Sequence, residues 1–283
     1  MLLNNSFTLV SWSNLLVHIL SLGLSFYLTN LTIHDKMFRF VAKGLIALGV
    51  PIILIHNLLL PDALFMFFWN IHLILVYHIL KNSSKRLFLM LTITSLVMLG
   101  LRHIGIILLI PSGLYLLYYI RNSDQKVTAS LSLALPILAF GVWQYFLFME
   151  VGDFNRLNHT GELNFLTNSS QILHHITHWF VPSTGIQFLD FIVSILLIGG
   201  LIYLIRTSYQ SSERTDYKIY FSIIIIAFLG FIMLKGDLLE SDIERYIALI
   251  YLPTILLIIP GLQSIKDRLG TKMFLISIGI WST

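Results

Sequence analysis

Apolar residues in this chain come in runs of about the length of a membrane crossing. The runs cover residues 11–29, 38–60, 63–80, 87–101, 104–120, 127–149, 188–205, 217–234 and 247–262, and a tenth starts at Met273. A hydrocarbon core of about 30 Å takes roughly 20 helical residues to cross. Inside it, every backbone N–H and C=O must find a partner in its own segment or in a closed barrel. Barrel strands would show segments of alternating polarity, which are absent here. The runs therefore predict an all-α, polytopic transmembrane bundle of about ten spans. The expected single transmembrane domain covers residues 1–283, with outer loops at 150–187 and 235–245. The tenth run breaks off at Thr283, as expected of a fragment of a longer chain.

Composition excludes the main alternatives. Of the 283 residues 57% are hydrophobic and only 11% charged, against about 25% charged in an ordinary soluble domain. The mean hydropathy is +0.84. The formal charge of +4 would suit a nucleic acid, but the basic residues sit in short clusters between apolar runs rather than on one face. No nucleic-acid partner is expected. With no cysteine in the chain, a disulfide framework, a thiolate metal site and a cysteine nucleophile are excluded. No basic region precedes the first apolar run, so a cleavable signal peptide is not expected.

Cytoplasmic loops retain positive charge during insertion, and the count here is lopsided. If the runs alternate in direction, one side collects all but four of the 18 Lys and Arg residues, the exceptions being Arg102, Arg156, Lys235 and Arg245. That side holds only Asp35, Asp124, Glu213, Asp216 and Asp267 of the 14 acidic residues. The basic side is expected in the cytoplasm and the N-terminus outside. The same rule makes 87–120 two spans turning at Arg102 and His103, because only then do the clusters at 81–86 and 121–126 share a side.

Function is therefore sought at the outer side. Arg102 and Arg245 lie at outer ends of spans, where a guanidinium can hold a phosphate by two parallel hydrogen bonds. Each can equally well snorkel to the interface or pair with Asp62 or Glu244. Asp62 follows Pro61 and opens a helix, so its carboxylate either serves a site or stabilises the helix N-terminus. Asp237, Glu240, Asp242 and Glu244 match no calcium-loop spacing, and a solvated loop accounts for them. His174 and His178, one turn apart beside His175, would give only two ligands to a zinc ion. With Trp179 and Phe180 they read better as an amphipathic helix lying on the outer leaflet. No metal site is expected and no cofactor, although the acidic outer loops leave room for a divalent cation.

Several short motifs, in order, resemble the polytopic membrane glycosyltransferases of the GT-C class, near the dolichyl-phosphate-mannose protein mannosyltransferase and aminoarabinose transferase branch. They are Pro61-Asp62-Ala63-Leu64-Phe65, Arg102-His103-Ile104-Gly105 followed by Leu109-Ile110-Pro111, Thr160-Gly161-Glu162, Trp179-Phe180-Val181-Pro182, and Glu244-Arg245-Tyr246 with Pro253. The resemblance implies a GT-C-like fold and transfer of a sugar from a polyprenyl-phosphate donor to a lipid, glycan or protein acceptor at the outer face of a bacterial or archaeal cell membrane. It implies that Arg102 and Arg245 bind the donor phosphate, with Asp62, His103, Glu244 and Tyr246 as site neighbours. The family carries its catalytic carboxylate in the loop after its first span. Residues 1–10 hold no Asp or Glu, so that base and the N-terminal span are expected upstream of Met1. Two other classes remain open: a transporter or flippase of lipid-linked sugars, and a non-catalytic membrane subunit.

Overall fold

The computed structural model describes residues 2–57, 60–121, 124–151, 165–182, 185–210, 215–234 and 240–270. All regular structure among them is helical. In chain order the helices are α1 (Leu2–Thr32), α2 (Lys36–Leu48), α3 (Val50–Asn57), α4 (Leu60–Lys81), α5 (Lys85–Leu101), α6 (Gly105–Tyr119), α7 (Lys126–Val151), α8 (Phe165–His178), α9 (Gln187–Ser208), α10 (Asp216–Leu234), α11 (Glu240–Ala248) and α12 (Tyr251–Leu269). Five are long and apolar enough to cross a membrane: the segments Ser11–Thr32, Pro61–Lys81, Lys126–Glu150, Phe188–Ser208 and Asp216–Leu234. The outward faces of α7 and α9 expose Leu131, Leu138 and Phe146, and Phe191, Leu196 and Ile202. Hydrocarbon solvates such faces without penalty, whereas water would not.

Two expected spans are interrupted. The run 38–60 divides into α2 and α3, because Pro51 has no N–H to continue the ladder and its ring would clash with the carbonyl of Ala47, four residues back. Gly49 is extended there, with φ −67° and ψ 121°. The run 247–262 belongs to α11 and α12, parted at Leu249 and Ile250. By contrast, the turn expected at Arg102 and His103 is present, joining α5 to α6 through a hydrogen bond from Gly105 N–H to the Arg102 carbonyl at 3.0 Å. The run beginning at Met273 lies outside the described residues.

Polar side chains set the helix pairing. In hydrocarbon there is little hydrophobic drive between helices, so small residues and interhelical hydrogen bonds specify the contacts. Asn70 of α4 donates from Nδ2 to Ser21 Oγ at 2.9 Å and Ser25 Oγ at 3.1 Å on α1. On α12, a Cβ at Gly261 would collide with the backbone carbonyl of Leu204 in α9. That glycine is what lets α9 and α12 touch backbone to backbone.

The helix ends sort onto two faces. On one, Tyr217 donates to the Thr32 carbonyl at 3.3 Å, Tyr119 donates to the Leu80 carbonyl at 2.8 Å, and Lys266 pairs with Asp35 at 3.5 Å. These join the basic ends of α1, α2, α4, α6, α10 and α12. Asp35 also caps α2, accepting the Phe38 N–H at 3.1 Å. That bond first, and the Lys266 ammonium next, hold its carboxyl below the ordinary carboxylate range against an opposing burial effect. A depressed folded value means the contribution is complete above the unfolded value of about 3.9 and lost as the pH falls through it toward the folded one. Thermal stability in detergent is expected to drop on acidification below about pH 4. Asp35→Ala should cost about 1 kcal/mol at pH 7 and remove part of that acid dependence; an unchanged melting temperature at neutral pH would exclude the cap.

Candidate functional site

At the opposite face, the charged residues singled out in three separate motifs come together. Asp62 lies in the first turn of α4, where a carboxylate complements the helix macrodipole. Arg102 follows α5 directly, its N–H bonded to the Met98 carbonyl, and so sits at a helix C-terminus, where a cation is favoured for the same reason. An Nη of Arg102 donates to Asp62 Oδ2 at 2.6 Å. Arg245, on α11, brings an Nη to 3.8 Å from the same oxygen. One carboxylate thus stands between two guanidiniums, a trio with a formal charge of +1.

The trio lines a small recess of about 20 Å³, partly open to the outside, together with Ile55 of α3, Phe65 of α4, Ile104, Tyr246 and Leu249. A space of that size holds about one water molecule, so a ligand would meet the arginines at the open mouth rather than inside. Asp62 is the most enclosed of the three, its side chain 14% exposed against 33% for Arg102 and 27% for Arg245. Arg102 spends one Nη on Asp62, while its buried Nε makes no hydrogen bond. Phe65 also closes the inner wall, packing so tightly on the start of α6 that a Cβ at Gly105 would come within 3.2 Å of its ring.

The other expected neighbours are placed differently. Tyr246 lines the recess, but Glu244, half-buried on α11, does not. His103 turns toward α7, its ring 4.9 Å from Trp143 and 5.8 Å from Phe140, and it is not part of the recess lining. Helix α8, expected as an amphipathic helix on the outer leaflet, buries Ile172, His175, Ile176 and Thr177 against the protein. Asn168 donates to the Ile232 carbonyl of α10 and Thr177 to Ser194 of α9. A helix able to make those bonds is held by protein rather than by lipid alone. The His174 and His178 rings are 4.0 Å apart between centroids, and among the described residues no group of three or more metal-ligating side chains forms. Asp237 and Thr160-Gly161-Glu162 lie outside the described residues, as do the side chains of Glu240 and Asp242.

Sequence reading passed over the residues that shape the inner wall. Leu249 is four residues before Pro253, so its carbonyl loses its helical partner. The Trp69 indole N–H supplies the bond instead, at 2.9 Å. Near the break at Gly49, the Tyr251 hydroxyl donates to the Leu45 carbonyl at 2.7 Å. Trp179 and Phe180, quoted above for their resemblance, pack against the Tyr251 ring at 5.1 and 6.5 Å. The signal available in sequence was Pro253, which marks the Leu249 carbonyl as needing a side-chain donor. No family model, no curated protein and no solved structure matches this chain.

Proposed function

We propose that the chain is the membrane portion of a GT-C-like glycosyltransferase of about ten spans, transferring a sugar from a polyprenyl-phosphate donor to a lipid, glycan or protein acceptor. The observation that carries this reading is the meeting of Asp62, Arg102 and Arg245 in one recess. Residues taken from three motifs far apart in the chain converge on one carboxylate oxygen. Preorganised guanidiniums stabilise the charge that grows on a phosphate leaving group when a glycosidic bond breaks. In this reading the recess faces outward, since the opposite face carries the basic residues that loops retain in the cytoplasm.

Asp62 is an unsuitable base for the acceptor, because its carboxylate is engaged by the Arg102 guanidinium at 2.6 Å. Acceptor activation falls to the carboxylate that the resemblance assigns to the family's first outer loop.

The interrupted helices favour a second reading, a transporter or flippase of lipid-linked sugars. Discontinuous spans packed beside a charged site are a recurring transporter arrangement, and α3 and α11 both contribute residues to the recess. Protein reconstituted in liposomes and given a labelled polyprenyl-phosphate sugar separates the possibilities. Label appearing on an acceptor supports transfer, and label crossing to the inner leaflet without transfer supports transport. Binding alone would identify a non-catalytic subunit. Absence of binding would remove the phosphate site from which the proposal starts.

A further inference from the structure

Asp62 and Trp69 are seven residues apart on α4, two helical turns, and so share a face. Arg245 and Leu249 are four apart along α11 and the turn after it, and also share a face. The two segments meet at both places: Arg245 approaches Asp62 at 3.8 Å, and Trp69 donates to the Leu249 carbonyl at 2.9 Å. The lower contact exists only because Pro253 leaves that carbonyl without a backbone partner. The junction is tightened by bonds from Leu249 N–H to the Tyr246 carbonyl and from Ile250 N–H to the Ile247 carbonyl, each 3.0 Å. Two residues on, Tyr251 ties the start of α12 to the Leu45 carbonyl of α2, and its ring occupies the space beside Gly49, where a Cβ would come within 2.5 Å of its hydroxyl. Trp69 is completely buried and Tyr251 is 1% exposed, so neither reaches a ligand in the recess.

From this we infer that Trp69 and Tyr251 are positioning residues for Arg245: they pin the inner end of α11, a nine-residue arm hinged at the Pro253 break, so that its guanidinium stands over Asp62. A continuous α11–α12 helix would have no such hinge. The inference rests on the reading of the recess as a phosphate site, and deepens it by saying what sets the aim of the anion-binding arginine.

The test uses the full chain in nanodiscs, with farnesyl phosphate as the probe. Trp69→Phe keeps the ring and removes the N–H; Tyr251→Phe keeps the ring and removes the hydroxyl. Each is expected to raise the dissociation constant about tenfold, the effect of one buried hydrogen bond. In an Arg245→Gln background each should change it by less than about twofold, because a residue acting through Arg245 has nothing left to aim. Losses that simply multiply would overturn the inference. Hydrogen exchange supplies an arm without ligand: amides 243–250 should exchange faster in Trp69→Phe, and those of 70–80 at the wild-type rate. Unchanged exchange over 243–250 would also overturn it. If wild-type protein binds no farnesyl phosphate, the phosphate reading fails, and the exchange experiment still decides whether Trp69 pins the arm.

Discussion

Arg245→Gln is expected to weaken binding of a polyprenyl phosphate by about 100-fold and leave the fold intact. A charge-assisted hydrogen bond contributes about 1.5–3 kcal/mol, a guanidinium makes two to a phosphate, and tenfold in affinity corresponds to about 1.4 kcal/mol. The side chain is 27% exposed, so screening by water keeps the estimate at the low end. Arg245→Lys should recover part of the loss, since the charge remains but the planar fork does not. Arg102→Gln should lose binding too, but with a cost in stability. It leaves Asp62, 14% exposed, with only the 3.8 Å contact to Arg245 in place of its 2.6 Å hydrogen bond, and weakening the pairing of an enclosed carboxylate is costly. Adding Asp62→Asn to Arg102→Gln should restore the melting temperature and not the binding. Filter binding and thermal unfolding in detergent measure both quantities. Equal affinities for wild type, Arg245→Gln and Arg102→Gln would remove the arginines from ligand binding altogether.

The second large effect is structural. Gly261→Leu should reduce the folded yield severely, and Gly261→Ala should lower the melting temperature by an amount corresponding to about 1–3 kcal/mol. The reason is the identity of the atom that is struck. A Cβ at 261 meets the Leu204 carbonyl, which cannot rotate away as a side-chain tip would, and the next obstacle is the Thr207 hydroxyl at 2.9 Å. Helix α9 would have to retreat from α12, and in hydrocarbon no hydrophobic gain compensates for the lost packing. The control is Gly230→Ala in α10, where nothing lies within 4 Å of the added methyl. There only the better helix propensity of alanine counts, up to about 1 kcal/mol. Equal melting temperatures for the two alanine variants would show that the close approach does not matter.

The two predictions depend on different kinds of information. The arginines were visible in sequence because cations are scarce on the outer side. Guanidinium at a helix end without a nearby loop cluster asks for an anion, and Asp62 was a recognised partner for both. That the three meet at one oxygen was not visible, since it depends on how α4, α5 and α11 pack. Gly261 carries no sequence signal at all: it is one glycine among 17, and only the backbone of α9 beside it makes it irreplaceable. Trp69 and Tyr251 would have passed as core aromatics, because their polar atoms act on carbonyls of distant segments.

What the amino-acid order determined by itself was the helical state, the apolar runs long enough to cross a membrane and the clustering of basic residues between them. Those follow from local properties: twenty-residue apolar runs cannot expose backbone to lipid, and clustered charge stays on one face. Prolines 51 and 253 further marked where the helical ladder must fail. Tertiary structure alone decided that the run 38–60 breaks where Tyr251 fills the gap, that α8 packs on α9, α10 and α11, and that His103 turns toward α7 while Arg102 turns inward. It also decided which donors reach the Leu45 and Leu249 carbonyls. Such contacts join residues up to 206 positions apart, and their energy depends on distances that no periodicity along the chain encodes.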